Sequence, residues 1–238
     1  MEGIRLVEEA LAAGLVFRGA VVSTTLARTA RGGELREELE QRGVPVEEVS
    51  ERTFAQLADT ETPQGIVAVV QSRKWTVAEF GTAPGGALLV VDGVQDPGNV
   101  GTLIRTAHAL GAAGTVVLRG TADVHAPKTM RSAMGATFRH PVVAMDDNAF
   151  ITWARKAGVT LWATAADGAP IERALRELRS DSPAGPVAVI VGNEGAGIRP
   201  ALNAISARRV AIPLAQGAES LNVAVAAGIL LYQVMHVR

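Results

Sequence analysis

The chain has 238 residues, 48% of them hydrophobic and 20% charged, with a formal net charge of −1. That composition belongs to a folded globular protein of one or two domains and excludes disordered, collagenous and low-complexity classes. No cysteine is present, which removes disulfides, thiolate metal sites and cysteine nucleophiles and fits a cytoplasmic protein.

The spacing of Ile4, Leu6, Val7, Ala10 and Leu11 predicts an amphipathic helix over residues 3–13. Glu2, Arg5, Glu8 and Glu9 interrupt it with charge, so no secretion signal is expected there. A strand around Ala20 to Ser23, a charged helix from Gly33 to Arg42, a strand from Val44 to Val49, a short helix from Glu51 to Ala58 and a strand from Ile66 to Gln71 follow. Residues 1–72 are therefore expected to form a small α/β domain. Residues 73–86, which end in Thr82-Ala-Pro-Gly-Gly, read as a linker because their Gly and Pro continue neither periodicity. The charge divides at the same place. Residues 1–72 carry 7 Arg against 12 carboxylates, net −5, and residues 73–238 carry 16 Lys plus Arg against 12 carboxylates, net +4.

Residues 87–238 alternate short apolar runs with helical patterns. Strands are expected at Ala87 to Val91, Thr115 to Leu118, Val159 to Ala163, Val187 to Val191 and Arg209 to Ile212. Helices are expected at Asn99 to Leu110, Lys128 to Ala136, Asn148 to Ala157, Ile171 to Arg179 and Leu221 to His236. Short continuous apolar strands between helices indicate a parallel sheet covered on both faces. Val223 to Leu231 is apolar on every side but far shorter than the roughly 20 residues that span a bilayer. No membrane span is predicted, and that helix is expected in a core or against a second subunit of a homodimer.

In open α/β sheets ligands gather beyond the carboxyl ends of the strands, and three loops there carry polar side chains. Asp92-Gly-Val-Gln-Asp-Pro-Gly-Asn-Val-Gly-Thr-Leu-Ile-Arg105 runs from a strand into a helix expected to be capped by Asn99, with Arg105 in an otherwise apolar run. Alone, it also reads as a helix cap plus a surface arginine. Val191-Gly-Asn-Glu-Gly-Ala-Gly-Ile-Arg199 holds glycines that permit close backbone approach, in an order reversed from the dinucleotide fingerprint. Taken by itself such a loop is more often a plain tight turn. Ile212-Pro-Leu-Ala-Gln-Gly-Ala-Glu-Ser-Leu-Asn-Val223 leads into the apolar helix, with Ser220 as the expected N-cap and Asn222 inside the first turn. Between the first two loops, Arg105, Arg119, Lys128, Arg131 and Arg139 face only Asp123, a pattern open to phosphate binding or to a solvated surface. His108, His125, His140 and His236 have no metal-ligand spacing, and no metal site is expected.

Together, in this order and spacing, the three loops resemble the SpoU (TrmH) family of RNA ribose 2′-O-methyltransferases of the SPOUT class. Asn99 to Arg105 looks like the first family motif, Gly192-Asn-Glu-Gly195 the second, and Ile212-Pro-Leu with Ser220-Leu-Asn222 the third. Pro127, Lys128, Arg131 and Gly135 look like the family segment between the first two. The resemblance implies a parallel sheet with a C-terminal trefoil knot, a homodimer, and S-adenosylmethionine bound by Gly192, Asn193, Gly195, Ile212, Leu214 and Leu221. It implies Asn99, Arg105, Glu194, Ser220 and Asn222 as the catalytic set and Arg105, Lys128, Arg131 and Arg139 as RNA contacts. The first domain is similar to the family's substrate-binding domain, of ribosomal-protein-like fold, which tilts the expected substrate towards ribosomal RNA rather than tRNA. Family reasoning gives Arg105 the task of removing or compensating the 2′-hydroxyl proton. A guanidinium stays protonated, so phosphate binding and stabilisation of negative charge suit it better. A P-loop nucleotide enzyme lacks its lysine motif here. A non-catalytic RNA-binding or ribosome-assembly module remains the other reading.

Overall fold

The computed structural model describes residues 1–81, 86–181 and 185–236, with side chains of 179–181 excepted. The chain divides into two compact units, Met1–Lys74 and Trp75–Arg238. The expected linker is accordingly shorter on its second-unit side. Phe80 is buried among Leu88, Val90 and Phe150, and its ring meets Trp153 edge-on at 5.5 Å, so 75–80 pack as part of the second unit. Residues 82–85 lie outside the described residues.

The first unit has a three-stranded sheet of β1 (Phe17–Ser23), β2 (Val46–Val49) and β3 (Ile66–Val70), in the order β2-β1-β3. β1 is parallel to β2 and antiparallel to β3. The helices are α1 (Ile4–Ala12), α2 (Ala30–Gln41) and α3 (Glu51–Leu57). Val7 and Leu11 of α1 and Leu35 and Leu39 of α2 close on Ala20, Val22, Ile66 and Ala68. α2 begins three residues before its expected start, because the Thr29 hydroxyl accepts from the Gly32 amide at 3.1 Å and carries the helix across the Gly pair.

The second unit has a six-stranded sheet in the order β6-β5-β4-β8-β7-β9. These are β4 (Ala87–Asp92), β5 (Gly114–Val117), β6 (Val142–Ala144), β7 (Thr160–Pro170), β8 (Val187–Gly192) and β9 (Arg208–Ala211), and every neighbouring pair is parallel. β4 explains the two-sided covering. Leu89 and Val91 pack with α4 (Pro97–Leu110), α8 (Ile171–Asp181) and α10 (Val223–His236), while Leu88 and Val90 pack with Phe150 and Ala154 of α7 (Asp147–Lys156) and Leu202 of α9 (Pro200–Ile205). α5 (Pro127–Ala133) and α6 (Ala136–Arg139) complete the unit. α5 packs so tightly on α4 that a Cβ at Gly101 would lie 2.4 Å from the Thr129 carbonyl oxygen.

Several elements depart from expectation. β6, α6 and α9 were not expected; they are three, four and six residues long, too short to show a period, and the helix expected to reach Ala136 stops at Ala133, where Met134 turns left-handed. β7 runs beyond Ala163 to Pro170, with its register on β9 shifting between Thr164 and Ala169. His140, one of the four histidines without metal-ligand spacing, is buried and shares a hydrogen bond with the Thr115 hydroxyl at 2.8 Å. Burial, and secondarily the charge of His108, push its pKa down to about 4, so it is neutral near pH 7.

Candidate active site

β4 and β8 lie side by side with Asp92 level with Gly192. From β4 the chain passes to β5 on one side, and from β8 it passes to β9 beyond β7 on the other. Their carboxyl ends therefore part into the crevice where such sheets bind ligands. The loops that leave both strands are the first two singled out in the sequence.

The first loop ends differently from its expectation. Asp96, not Asn99, caps α4: its Oδ1 accepts from the Asn99 amide at 2.9 Å, and Pro97 takes the first helical position. The Asp-Pro pair is the stronger start signal, since proline lacks an amide that the first turn would leave unpaired. Lys128 donates to Asp96 Oδ2 at 2.9 Å. That hydrogen bond, with the one from the Asn99 amide, holds the Asp96 carboxyl below its ordinary range.

Freed from capping, the Asn99 side chain joins all three loops. Its Nδ2 donates to Glu194 Oε1 at 2.8 Å, and its Oδ1 accepts from Asn222 Nδ2 at 3.0 Å. Asn222 Oδ1 accepts in turn from the Ala224 amide at 2.9 Å, so Asn222 caps α10 in place of the expected Ser220. The order is directional. A carboxylate only accepts and a helix amide only donates, so both asparagine amides have a single orientation that satisfies the chain. Fixing the two termini thus fixes the side chains between them.

The second loop is built on Asn193. Its Nδ2 donates to the Gly93 carbonyl at 3.0 Å, and its Oδ1 accepts from the amides of Gly195 and Ala196 at 2.9 and 2.8 Å. Asn193 and Gly197 also exchange backbone hydrogen bonds, and Gly197 takes a φ of +68°. A Cβ at Gly192 would stand 2.3 Å from the Gly197 carbonyl carbon, 2.4 Å from its oxygen and 2.5 Å from the Ile198 amide nitrogen. The glycine is therefore required by close approach rather than by a positive φ.

A buried ion pair that the sequence reading missed braces this loop. Asp92, 1% exposed, accepts from the Arg199 amide at 2.8 Å and from Arg199 Nε at 2.6 Å, and Arg199 Nη1 reaches Asp147 Oδ2 at 2.6 Å. A carboxylate ending a wholly apolar strand was the available signal, because a buried charge demands a partner.

These loops surround a cavity of about 520 Å³. Of the expected residues, Gly192, Asn193, Glu194, Gly195, Ile212, Leu214, Ser220, Leu221 and Asn222 line it, and Asn99 touches two of them. Arg105 does not line it. It is exposed on α4 and borders a shallow groove with Thr102, Tyr232 and Gln233, and its guanidinium makes no hydrogen bond or ion pair among the described residues. Arg131 on α5 and Arg139 on α6 also lie outside the cavity lining. Val191, Ile198, Val210 and Leu230 give the cavity apolar walls, while the Gly192 cradle brings main-chain groups close. Its size and lining fit a nucleoside-sized cofactor.

The sequence profile of the SpoU rRNA methylase family matches residues 86–232, which contain the whole cavity and its three loops. The chain belongs to this family. A second profile, described as RNA 2′-O ribose methyltransferase substrate binding, matches residues 1–76. This SpoU-family chain is 39% identical over 98% of its length, and 86% of the relative's, to the 23S rRNA (guanosine(2553)-2′-O)-methyltransferase RlmP of Bacillus subtilis. Among solved structures it is similar to an AdoMet-bound rRNA methyltransferase from Sinorhizobium meliloti, with a TM-score of 0.82 and 32% identity over 98% of this chain and 85% of that one. It is also similar to the SpoU methyltransferase AviRb from Streptomyces viridochromogenes in complex with AdoMet, with a TM-score of 0.81 and 28% identity over 99% and 88%.

Proposed function

We propose that this chain is an S-adenosylmethionine-dependent methyltransferase acting on a ribose 2′-hydroxyl of ribosomal RNA. The observation that carries the reading is the hydrogen-bonded chain Glu194–Asn99–Asn222, which ties the three family motifs together at the rim of one cavity. Gly192, Asn193 and Gly195 on one side and Ile212, Leu214 and Leu221 on the other would hold the cofactor, which supplies a methyl group on a positively charged sulfur. Glu194 and Asn222 are fixed at the rim through Asn99, and Ser220 lies beside Asn222; these groups orient the incoming ribose. Holding the acceptor oxygen in line with the methyl supplies much of the rate by removing orientational freedom. Arg105 lies outside this chain's cavity, so the copy that binds the phosphate next to the target ribose and offsets negative charge on the 2′-oxygen would come from the second chain of the homodimer proposed below. Asn99 positions Glu194 and Asn222.

The same reading extends to a homodimer. α10 buries Ala224, Ala227, Leu230, Leu231 and Val234, yet Val225, Ile229 and Tyr232 on its outer side remain 52%, 37% and 52% exposed. An exposed apolar stripe beside a groove supports association with a second copy. Sedimentation at twice the chain's mass is expected, and a monomer at micromolar concentration would end this proposal. Return of the chain from β9, at the sheet edge, to α10 packed on α4 supports threading of the C-terminal segment as a knot. A crystal structure tracing 192–223 tests it.

The profile match of the first unit and the near-complete overlap with an rRNA-modifying relative support ribosomal RNA as substrate. The net charge of −5 over residues 1–72 supports a reading in which the phosphate attraction comes from the second unit, where Lys128, Arg131 and Arg139 are proposed contacts. With methyl-labelled cofactor and unmodified RNA pools, label is expected in 23S rRNA, at a rate that falls as salt rises. Label confined to tRNA would overturn the substrate, and a rate indifferent to salt would remove the basic contacts. No helix among the described residues is long and apolar enough to cross a membrane, and a cytoplasmic setting is the one proposed.

A further inference from the structure

We infer that Glu219 reads the charge of the cofactor, holding the sulfonium form in the cavity more tightly than the sulfide product left after transfer. The inference rests on the cavity being the cofactor site. Among the described residues two carboxylates line it, Glu194 and Glu219, and no Lys, Arg or His does. The two acids are not equivalent. Glu194 Oε1 is occupied by Asn99 Nδ2 at 2.8 Å. Glu219 follows the turn at Gly217, is exposed, and makes no hydrogen bond or ion pair among the described residues. Glu219 is the cavity-wall carboxylate with neither oxygen in a hydrogen bond among the described residues.

S-adenosylmethionine bears a sulfonium, an ammonium and a carboxylate, one net positive charge. Methyl transfer breaks the S–CH3 bond, leaves that electron pair on sulfur and forms the O–CH3 bond, while the hydroxyl proton goes to solvent. The sulfide product is uncharged overall. A carboxylate at the wall interacts with that difference, stabilising the donor form and letting the product go. A cavity with a cationic lining would reverse the preference, and one without charged side chains would have none of this origin.

Equilibrium binding of three ligands to the intact protein tests this: S-adenosylmethionine, S-adenosylhomocysteine, and sinefungin, which carries an amine-bearing carbon where the donor has its sulfonium. Glu219→Gln is expected to weaken S-adenosylmethionine and sinefungin about fivefold, the weight of one solvent-screened charge contact, and S-adenosylhomocysteine less than about twofold. Glu219→Asp, which keeps the charge, is expected to retain most of the discrimination. Equal weakening of all three ligands, or of none, overturns the inference. Failure of the unaltered protein to bind any of them overturns the cavity's assignment as the cofactor site, and the inference with it.

Discussion

Replacing Arg105 by alanine is expected to lower turnover by at least about a hundredfold, the scale on which a lost oxyanion-stabilising donor is felt. Cofactor affinity should be almost unchanged, because Arg105 is absent from the cavity lining and borders the α4–α10 groove instead. That separation makes the variant informative. A guanidinium without a hydrogen bond or ion pair among the described residues stabilises little of the fold, so a loss of activity reads as a loss of chemistry. Lysine should restore only a small part, since an ammonium lacks the planar fork that meets a phosphate in two places. Single-turnover kinetics beside a binding titration would check both halves. A loss below tenfold would remove Arg105 from the reaction.

Gly192→Ala is expected to weaken S-adenosylmethionine by between about tenfold and a hundredfold, the affinity equivalent of an overpacking cost of about 1–3 kcal/mol. The added methyl meets main-chain atoms of Gly197 and Ile198 at 2.3–2.5 Å, and backbone has no rotamer by which to give way. The loop must shift, and with it Asn193, Glu194 and the cavity rim. Gly33→Ala, in α2 of the first unit and absent from the cavity lining, is the control. A Cβ there meets nothing within 4 Å, and near-native binding is expected. Isothermal titration of both variants decides the matter; equal affinities would show that the Gly192 loop does not shape the cofactor site.

Much of the second unit was legible because its strands are buried on both faces and therefore read as continuous apolar runs, Ala87 to Val91 and Val187 to Val191 above all. The polar loops after those strands stood out against them. Strand order is a different kind of information. Nothing local says that β8 inserts between β4 and β7, yet that insertion sets Asp92 level with Gly192 and opens the crevice. The Asp92–Arg199–Asp147 brace depends on residues up to 107 positions apart and was missed for the same reason. At the helix starts, Asn99 and Ser220 were sound cap residues by type. Asp96 next to Pro97, and Asn222 next to the helix, were better placed. The displaced Asn99 turned out to be the joint of the site. Arg105 entered the catalytic set through the family resemblance rather than through its spacing from Asn99, and the structure puts it on the α4–α10 groove, outside the cavity lining of this chain.

The most direct measurement is the chemical position of the transferred methyl. Unmodified rRNA treated with the protein and methyl-labelled S-adenosylmethionine would be hydrolysed in alkali, which cleaves after every ribose that retains a free 2′-hydroxyl. The account predicts label in an alkali-stable dinucleotide, absent when Arg105→Ala replaces the native protein. Label released in ordinary mononucleotides, carried on a base, would contradict it.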